Sequence, residues 1–242
     1  MTELERHDLI SPLERALVIF SHPDDAEFGA APTIAALTAA GARVDYVVTT
    51  DGGKGTDDAS VAPEELAATR IAEQRAAADV LGVGEIVHLG YPDGYLTPSL
   101  ELRRDITRQI RHFRPDLVIA QNPQRRTDGN PFIAHPDHLA TGEATLAAVY
   151  PAARDRHNFP ELLDEGLEPW KVRQVLVTGV ERANLWIDVS ATWETGLAAL
   201  RRHASQVQDW DPVEQRLRER VTTAGQAVGL PMAQAFLSIL LT

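Results

Sequence analysis

Short, almost wholly apolar runs recur along the chain, separated by longer stretches in which apolar residues return every three or four positions. "ALVIF" (16–20), "RVDYVVTT" (43–50), "EIVHLG" (85–90) and "DLVIA" (116–120) carry the first pattern. Such runs are expected of strands covered on both faces. Segments 27–40, 63–82 and 99–113 carry the helical period, and Gly41 and Gly82 stand where helices stop. Strand and helix alternate, which predicts βαβ units with right-handed crossovers. The fold class expected is α/β: a Rossmann-like open sheet, mostly parallel, with helices on both faces. Further along, the pattern predicts a helix over 137–150, strands over 172–180 and 185–189, and helices over 192–207 and 212–225. Residues 151–169 read as an irregular crossover or a flap. No repeat or break in composition divides the chain, so residues 1–242 read as one domain, with a core over 14–207 and a helical tail over 208–242. The apolar end of that tail, with Phe236, Leu237, Ile239, Leu240 and Leu241, is expected to dock on its own domain or to form a contact in a homo-oligomer.

Composition narrows the picture. The 242 residues are 44% hydrophobic and 24% charged, as in an ordinary globular protein. A formal net charge of -12 argues against a nucleic acid partner. There is no cysteine, so disulfides and thiolate metal sites are excluded, and any metal must be held by His, Asp or Glu. The longest apolar stretch (227–241) is shorter than a membrane span and contains a proline. The first 20 residues mix both charge signs and show no export signal. The expectation is a cytoplasmic protein.

Candidate chemistry sits at the carboxyl ends of the expected strands, where open parallel sheets collect ligands. "FSHPDDAEFG" places His22, Asp24 and Asp25 after the first strand, and "AHPDHLATGEA" (134–144) places His135, Asp137 and His138 after the fourth. Each aspartate could simply cap a helix. Two independent caps, however, do not need histidines around both. A catalytic zinc keeps about three protein ligands and an open position. His22 and Asp25, three apart across a turn, can converge on one ion, and His138 can close the triangle from the second loop. Asp24 and His135 then remain unligated beside the ion, with Asp24 free to handle a proton.

The paired "HPDDAE" and "HPDH" motifs resemble the PIG-L/LmbE-like zinc-dependent de-N-acetylases, which act on N-acetylglucosamine-type substrates. "TRIAEQRAAADVLGV" (69–83), "LGYPDG" (89–94) and "WIDVSATWETGLAALRRHASQ" (186–206) extend the resemblance over most of residues 16–206. The resemblance implies His22, Asp25 and His138 as zinc ligands, Asp24 as general base, and His135 as a polarising imidazole kept protonated by Asp137. It also places Arg70 and Asp93 around the sugar. On the residues alone, Arg70 could instead pair with Glu73 on its helix, and Asp93-Gly94 is an ordinary turn. His203 reads as structural and His88 as a packed strand residue.

The function implied is removal of an acetyl or other acyl group from the amide nitrogen of an N-acylated sugar or glycoconjugate, with Zn2+ as cofactor. Three alternatives stay open: an amidase acting on another small molecule, a non-haem enzyme holding Fe2+ on the same His/Asp/His set, and a non-catalytic nucleotide-binding module. The glycine-rich "TDGGKGTDD" (50–58) lacks the spacing of a nucleotide fingerprint and reads as a loop at the pocket's border, with Lys54 near the substrate. The segment 151–169 and the turn at Tyr95 are the places where substrate choice is expected to lie.

Overall fold

The computed structural model describes residues 6–125 and 133–241. The polar loop before the second histidine motif lies in part outside the described residues. Five strands, β1 (Arg15–Phe20), β2 (Arg43–Thr50), β3 (Ile86–Tyr91), β4 (Leu117–Ala120) and β5 (Gln174–Val177), run parallel. With β6 (Leu185–Asp188) and β7 (Ala233–Leu240) they form one sheet in the order β3-β2-β1-β4-β5-β7-β6, as the α/β expectation required.

The period of two on β1 explains why the sheet is covered twice. Ala16, Val18 and Phe20 face one core with α1 (Asp25–Ala39), α2 (Pro63–Leu81) and α6 (Trp193–Leu200). Leu17 and Ile19 face the other, with α3 (Leu100–Phe113) and α4 (Pro136–Ala147). All five residues are at most 3% exposed, so β1 is buried on both faces and must be apolar throughout.

Topology positions the site. The chain runs outward from β1 through β2 to β3, then returns to place β4 on the other side of β1. Ile19 of β1 pairs with Ala120 of β4, so the loops leaving these two strands emerge side by side at the switch in strand order. The two histidine motifs occupy those loops.

Two expectations are corrected. The tail is helical only through α7 (Trp210–Gln226); residues 233–240 are strand β7, antiparallel to both β5 and β6. Gly229 at φ 77° and Pro231 stop the helix. Beyond them Ala233, Phe236 and Ser238 are buried, while Ala235, Leu237 and Ile239 are half-covered. The apolar end therefore completes the sheet, supplying the backbone partners that β5 and β6 would otherwise lack. The segment 151–169 is a pinned crossover and not a flap. It holds the short α5 (Glu161–Asp164), and the buried Arg111 of α3 donates to the carbonyls of Ala152, Ala153, Asp155 and Asn158.

Candidate metal centre and its buried carboxylates

β1 ends at Phe20, and the chain turns through Ser21–Asp24 into α1. Asp25 Oδ2 accepts the backbone N–H of His22 at 2.8 Å, and His22 O accepts the N–H of Asp25 at 3.2 Å. Asp24 stands at φ 107°, ψ −27°, with no side-chain cap on the helix. A left-handed backbone on a non-glycine residue costs on the order of 1–3 kcal/mol and persists where its surroundings over-determine it. In the second loop His135 caps α4 by accepting the Asp137 N–H at 3.3 Å, and Pro136 fills the first helical position. Asp24 stands at the N-cap position without a side-chain bond to the helix, and at α4 the cap is His135, so neither Asp24 nor Asp137 caps through its carboxylate.

Three donors converge between the loops. His22 Nδ1 lies 3.2 Å from Asp25 Oδ2 and 3.2 Å from His138 Nε2, and His138 Nε2 lies 3.1 Å from Asp25 Oδ1. Ligands at about 2.0–2.1 Å from a tetrahedral ion are ~3.3 Å from one another, and these three contacts, which reach Asp25 through both of its oxygens, are close to that spacing. Two further groupings hold donor atoms within 4.8 Å of one another: His22, His135 and His138, and His22, Asp93, His135 and Asp137. We favour the His22–Asp25–His138 set. The first of the two further groupings lacks a carboxylate to offset the charge of an ion, and in the second Asp93 and Asp137 are already bonded to His22 Nε2 and to backbone N–H groups.

That Nε2 lies 3.0 Å from Asp93 Oδ1 and 3.3 Å from Asp137 Oδ2. Asp93 also accepts the Lys54 N–H, and Asp137 accepts the N–H groups of Gly94 and Leu96. A ligand imidazole held from behind by carboxylates in this way is fixed in tautomer and orientation. Burial alone would lower the His22 pKa, but hydrogen bonds to Asp137, Asp25 and Asp93 outweigh it and raise it to about 11. Burial opposes ionisation of Asp93 as well, yet His22 and the Lys54 N–H draw it down to about 2.

The adjacent aspartates diverge. Burial disfavours the charge on Asp25, but His138 and His22 hold it well below the usual carboxylate range. Asp24 is raised to about 7, chiefly by burial and then by the charge of Asp25, against the opposing pull of Arg70, His203 and His22. It is 8% exposed.

Buried residues from α2 grip Asp24. Arg70 donates to Pro23 O at 2.6 Å and to Asp24 Oδ2 at 3.2 Å, and Gln74 Oε1 accepts the Asp24 N–H at 3.0 Å. The single Pro23–Asp24 peptide is thus held at its C=O and at its N–H by residues one helical turn apart. Gln74 Nε2 donates to Glu27, whose carboxylate also meets Tyr46 Oη and His203 Nε2. Arg70 makes its remaining bond to Gly52 O, and Glu73 accepts from Ser205, so the Arg70–Glu73 alternative is not observed. Arg70 supports Asp24 from within the core.

One reading of the second loop changes. Asp137 is engaged by His22, Gly94 and Leu96, and its Oδ2 lies 3.9 Å from His135 Nδ1. Nδ1 of His135 accepts a backbone N–H, which leaves its proton on Nε2, and burial followed by the charge of His22 lowers its pKa. Asp137 thus has other partners, and the surroundings of His135 push its pKa down, against the expectation that Asp137 keeps it protonated.

Sequence reasoning missed Gln121, Gln74 and Glu27. Gln121 donates to Asp25 Oδ2 at 3.1 Å and accepts from Ser21 Oγ at 2.6 Å, bracing the Asp25 carboxylate from the end of β4. The signal for Gln74 was present: Leu66, Arg70, Gln74, Ala77, Ala78 and Leu81 are the buried residues of α2, and two of the six are polar. Beside Asp25 and His138 opens a cavity of about 540 Å³, also lined by Phe20, Phe28, Gln121 and Thr178.

Comparison with known proteins places this arrangement. The model of the family described as PIG-L, GlcNAc-PI de-N-acetylase, matches residues 17–149. A diacetylchitobiose deacetylase of Thermococcus kodakarensis is 34% identical over 219 residues, covering 90% of this chain and 80% of that protein. The structure of N,N'-diacetylchitobiose deacetylase from Pyrococcus horikoshii, in complex with an inhibitor, superposes with a TM-score of 0.88 at 33% identity, covering 95% of this chain and 85% of that one. GalB, a 4-carboxy-2-hydroxymuconate hydratase of a Pseudomonas, superposes at 0.79 with 18% identity, covering 95% and 98% of the two chains. At that identity the likeness is one of fold alone, and it shows the scaffold carrying a different reaction.

Proposed function

The chain belongs to the PIG-L family of de-N-acetylases, and from that premise we propose that it hydrolyses the amide of an N-acylated amino sugar or glycoconjugate, releasing the carboxylic acid and the free amine. The observation that carries the proposal is the three-donor triangle of His22, Asp25 and His138 beside a buried carboxylate, Asp24, raised to about 7. These residues would hold a divalent ion, for which we propose Zn2+; two imidazoles and a carboxylate also suit Fe2+.

An ion held there would lower the pKa of water from about 15.7 to about 7 and polarise a carbonyl. The chain's own groups do the rest. Asp24, a base near neutrality, takes the proton of the water that attacks the carbonyl carbon and returns it to the nitrogen as the C–N bond breaks. A positioned acid/base contributes typically 10²–10⁴-fold. His135, whose Nδ1 is taken up by the Asp137 N–H, donates from Nε2 to the oxygen on which negative charge develops, and loss of such a donor costs on the order of 10²–10³ in rate. Asp93 and Asp137 keep the His22 ring from rotating, and Gln121 does the same for Asp25.

The test is metal analysis of the purified protein, followed by amine release from N-acetylated amino sugars and their conjugates. Asp24→Asn is expected to retain the metal and lose most turnover. Near-normal turnover in that variant refutes the base assignment. Consumption of a substrate without release of amine refutes amide hydrolysis.

A further inference from the structure

Behind Asp25 lies a row of buried hydroxyls that the proposed chemistry does not use. Gln121 bridges Asp25 and Ser21. Ser21 Oγ lies 2.9 Å from Thr141 Oγ1, which in turn lies 2.9 Å from Thr49 Oγ1. All three hydroxyl residues are fully buried, and Gln121 is 5% exposed. Thr49 comes from β2, Ser21 follows β1, and Thr141 stands on α4 about one turn beyond His138.

The chemistry of these groups gives the row a single direction. The Asp25 carboxylate can only accept, so Gln121 presents an amide N–H to Oδ2 and turns its carbonyl oxygen to Ser21. That oxygen can only accept as well, and it takes the one proton of Ser21. Ser21 Oγ must then accept from Thr141, and Thr141 from Thr49. Donors therefore run from Thr49 through Thr141, Ser21 and Gln121 to Asp25. Hydrogen bonds aligned in this way polarise one another.

The packing of α4 favours this row without requiring it for folding. A Cβ at Gly142 would stand 2.6 Å from Gln121 O and 2.9 Å from Pro123 N, so glycine lets the helix press on the chain leaving β4. Thr145, one turn further along α4, is also fully buried, yet its hydroxyl has no partner among the described residues. The helix thus tolerates an unbonded hydroxyl, while the one at Thr141 is bonded on both sides. On their other side Asp25 and Gln121 line the open cavity, where only solvent would orient the amide. We infer that Thr141 is a positioning residue for Asp25: through Ser21 it fixes the direction of the Gln121 amide, and so raises the affinity of the site for its ion. The inference rests on the reading that His22, Asp25 and His138 hold a divalent ion. A carboxylate oriented before the ion arrives loses less freedom when it binds.

The test is the dissociation constant for Zn2+, measured on the metal-free protein by competition with a chromophoric chelator. Thr141→Val puts a methyl in place of the hydroxyl and is expected to weaken binding about tenfold, the lower end of the effect of losing an outer partner of a metal ligand. Thr141→Ser, which restores the hydroxyl, should bind near the wild-type value. Thr145→Val should leave the constant unchanged. An unchanged constant in Thr141→Val overturns the inference. So does an equal loss in Thr145→Val, which would make the effect one of helix packing. Should Thr141→Val fail to fold, Ser21→Ala and Thr49→Val cut the same row on either side of it: weaker binding in both supports the inference, and unchanged binding refutes it. A wild-type protein that binds no Zn2+ refutes the ligand triangle, and this inference with it. Tight binding in the wild type and in every variant refutes the inference alone.

Discussion

Replacing Asp24 with asparagine should make the metal-free protein more stable while it removes the base. The carboxyl has an ordinary pKa of 3.8 and is raised to about 7, with burial the largest cause and Asp25 the next. Its charged form is therefore disfavoured by folding. Below about pH 4 the group is protonated in both folded and unfolded chains and carries no penalty. As pH rises to 7 the unfolded chain ionises freely and the folded one resists, so stability is lost across that window and is lowest above it. The full shift corresponds to at most ~4 kcal/mol at pH 8. Asparagine keeps the shape and an oxygen for Arg70 Nη2, now 3.2 Å from Asp24 Oδ2, but that bond becomes neutral and weaker. A net gain of about 2 kcal/mol remains, or roughly 4–8 °C in a chain of this size. Thermal unfolding in chelator at pH 4 and pH 8 measures it. Asp24→Asn should melt higher than the wild type at pH 8, with the difference shrinking at pH 4. Added divalent metal should narrow the gap at pH 8, because it offsets the charge of Asp25. A lower melting temperature for the variant at pH 8, or a difference independent of pH, would refute the reasoning.

His138→Ala removes one corner of the ligand triangle, and the variant should purify without stoichiometric metal; full occupancy by elemental analysis would remove His138 from the set. Gln74→Leu deletes the acceptor of the Asp24 N–H and a donor to Glu27. A misplaced base should lower kcat by about 10–100-fold with metal content and KM unchanged. Loss of activity only in proportion to loss of metal would reduce Gln74 to a structural residue.

The convergence of His22, Asp25 and His138 was legible in the sequence because each element of it is local. His22 and Asp25 share one turn, and His138 lies just beyond a second strand of recognisable type. Only the adjacency of β1 and β4 had to be supplied, and that follows from the rules of parallel sheets. The support for Asp24 was not legible, because it depends on how α1 packs against α2 and α6. Gln74 meets Glu27, and Glu27 meets His203, 176 positions away. No spacing rule reaches that far. The error over the tail had a different origin. "AQAFLSIL" is nearly all apolar, and its partial alternation becomes visible only when β5 and β6 are seen on its two sides. Asp137 shows a third kind of limit. The family resemblance implied a pair with His135, but backbone N–H groups from the Asp93–Leu96 turn and the ring of His22 compete for the same carboxylate.

Two carboxylates one residue apart can serve opposite roles only if the chain turns sharply between them, and the left-handed Asp24 provides that turn. Asp25, first in its helix, faces the imidazoles of His22 and His138, which favour its ionised form, as the proposed ligand role requires. Asp24 faces the core, where burial raises it toward the pKa of an effective base. Glycine would adopt this φ without strain but could not carry a proton. The strained conformation therefore survives because Arg70 and Gln74 hold both ends of the Pro23–Asp24 peptide. That couples the base to α2, and through Glu27 and His203 to the end of α6. Substitutions in that buried chain should therefore change turnover before they change metal affinity, because Asp25 is braced separately, by Gln121 and Ser21.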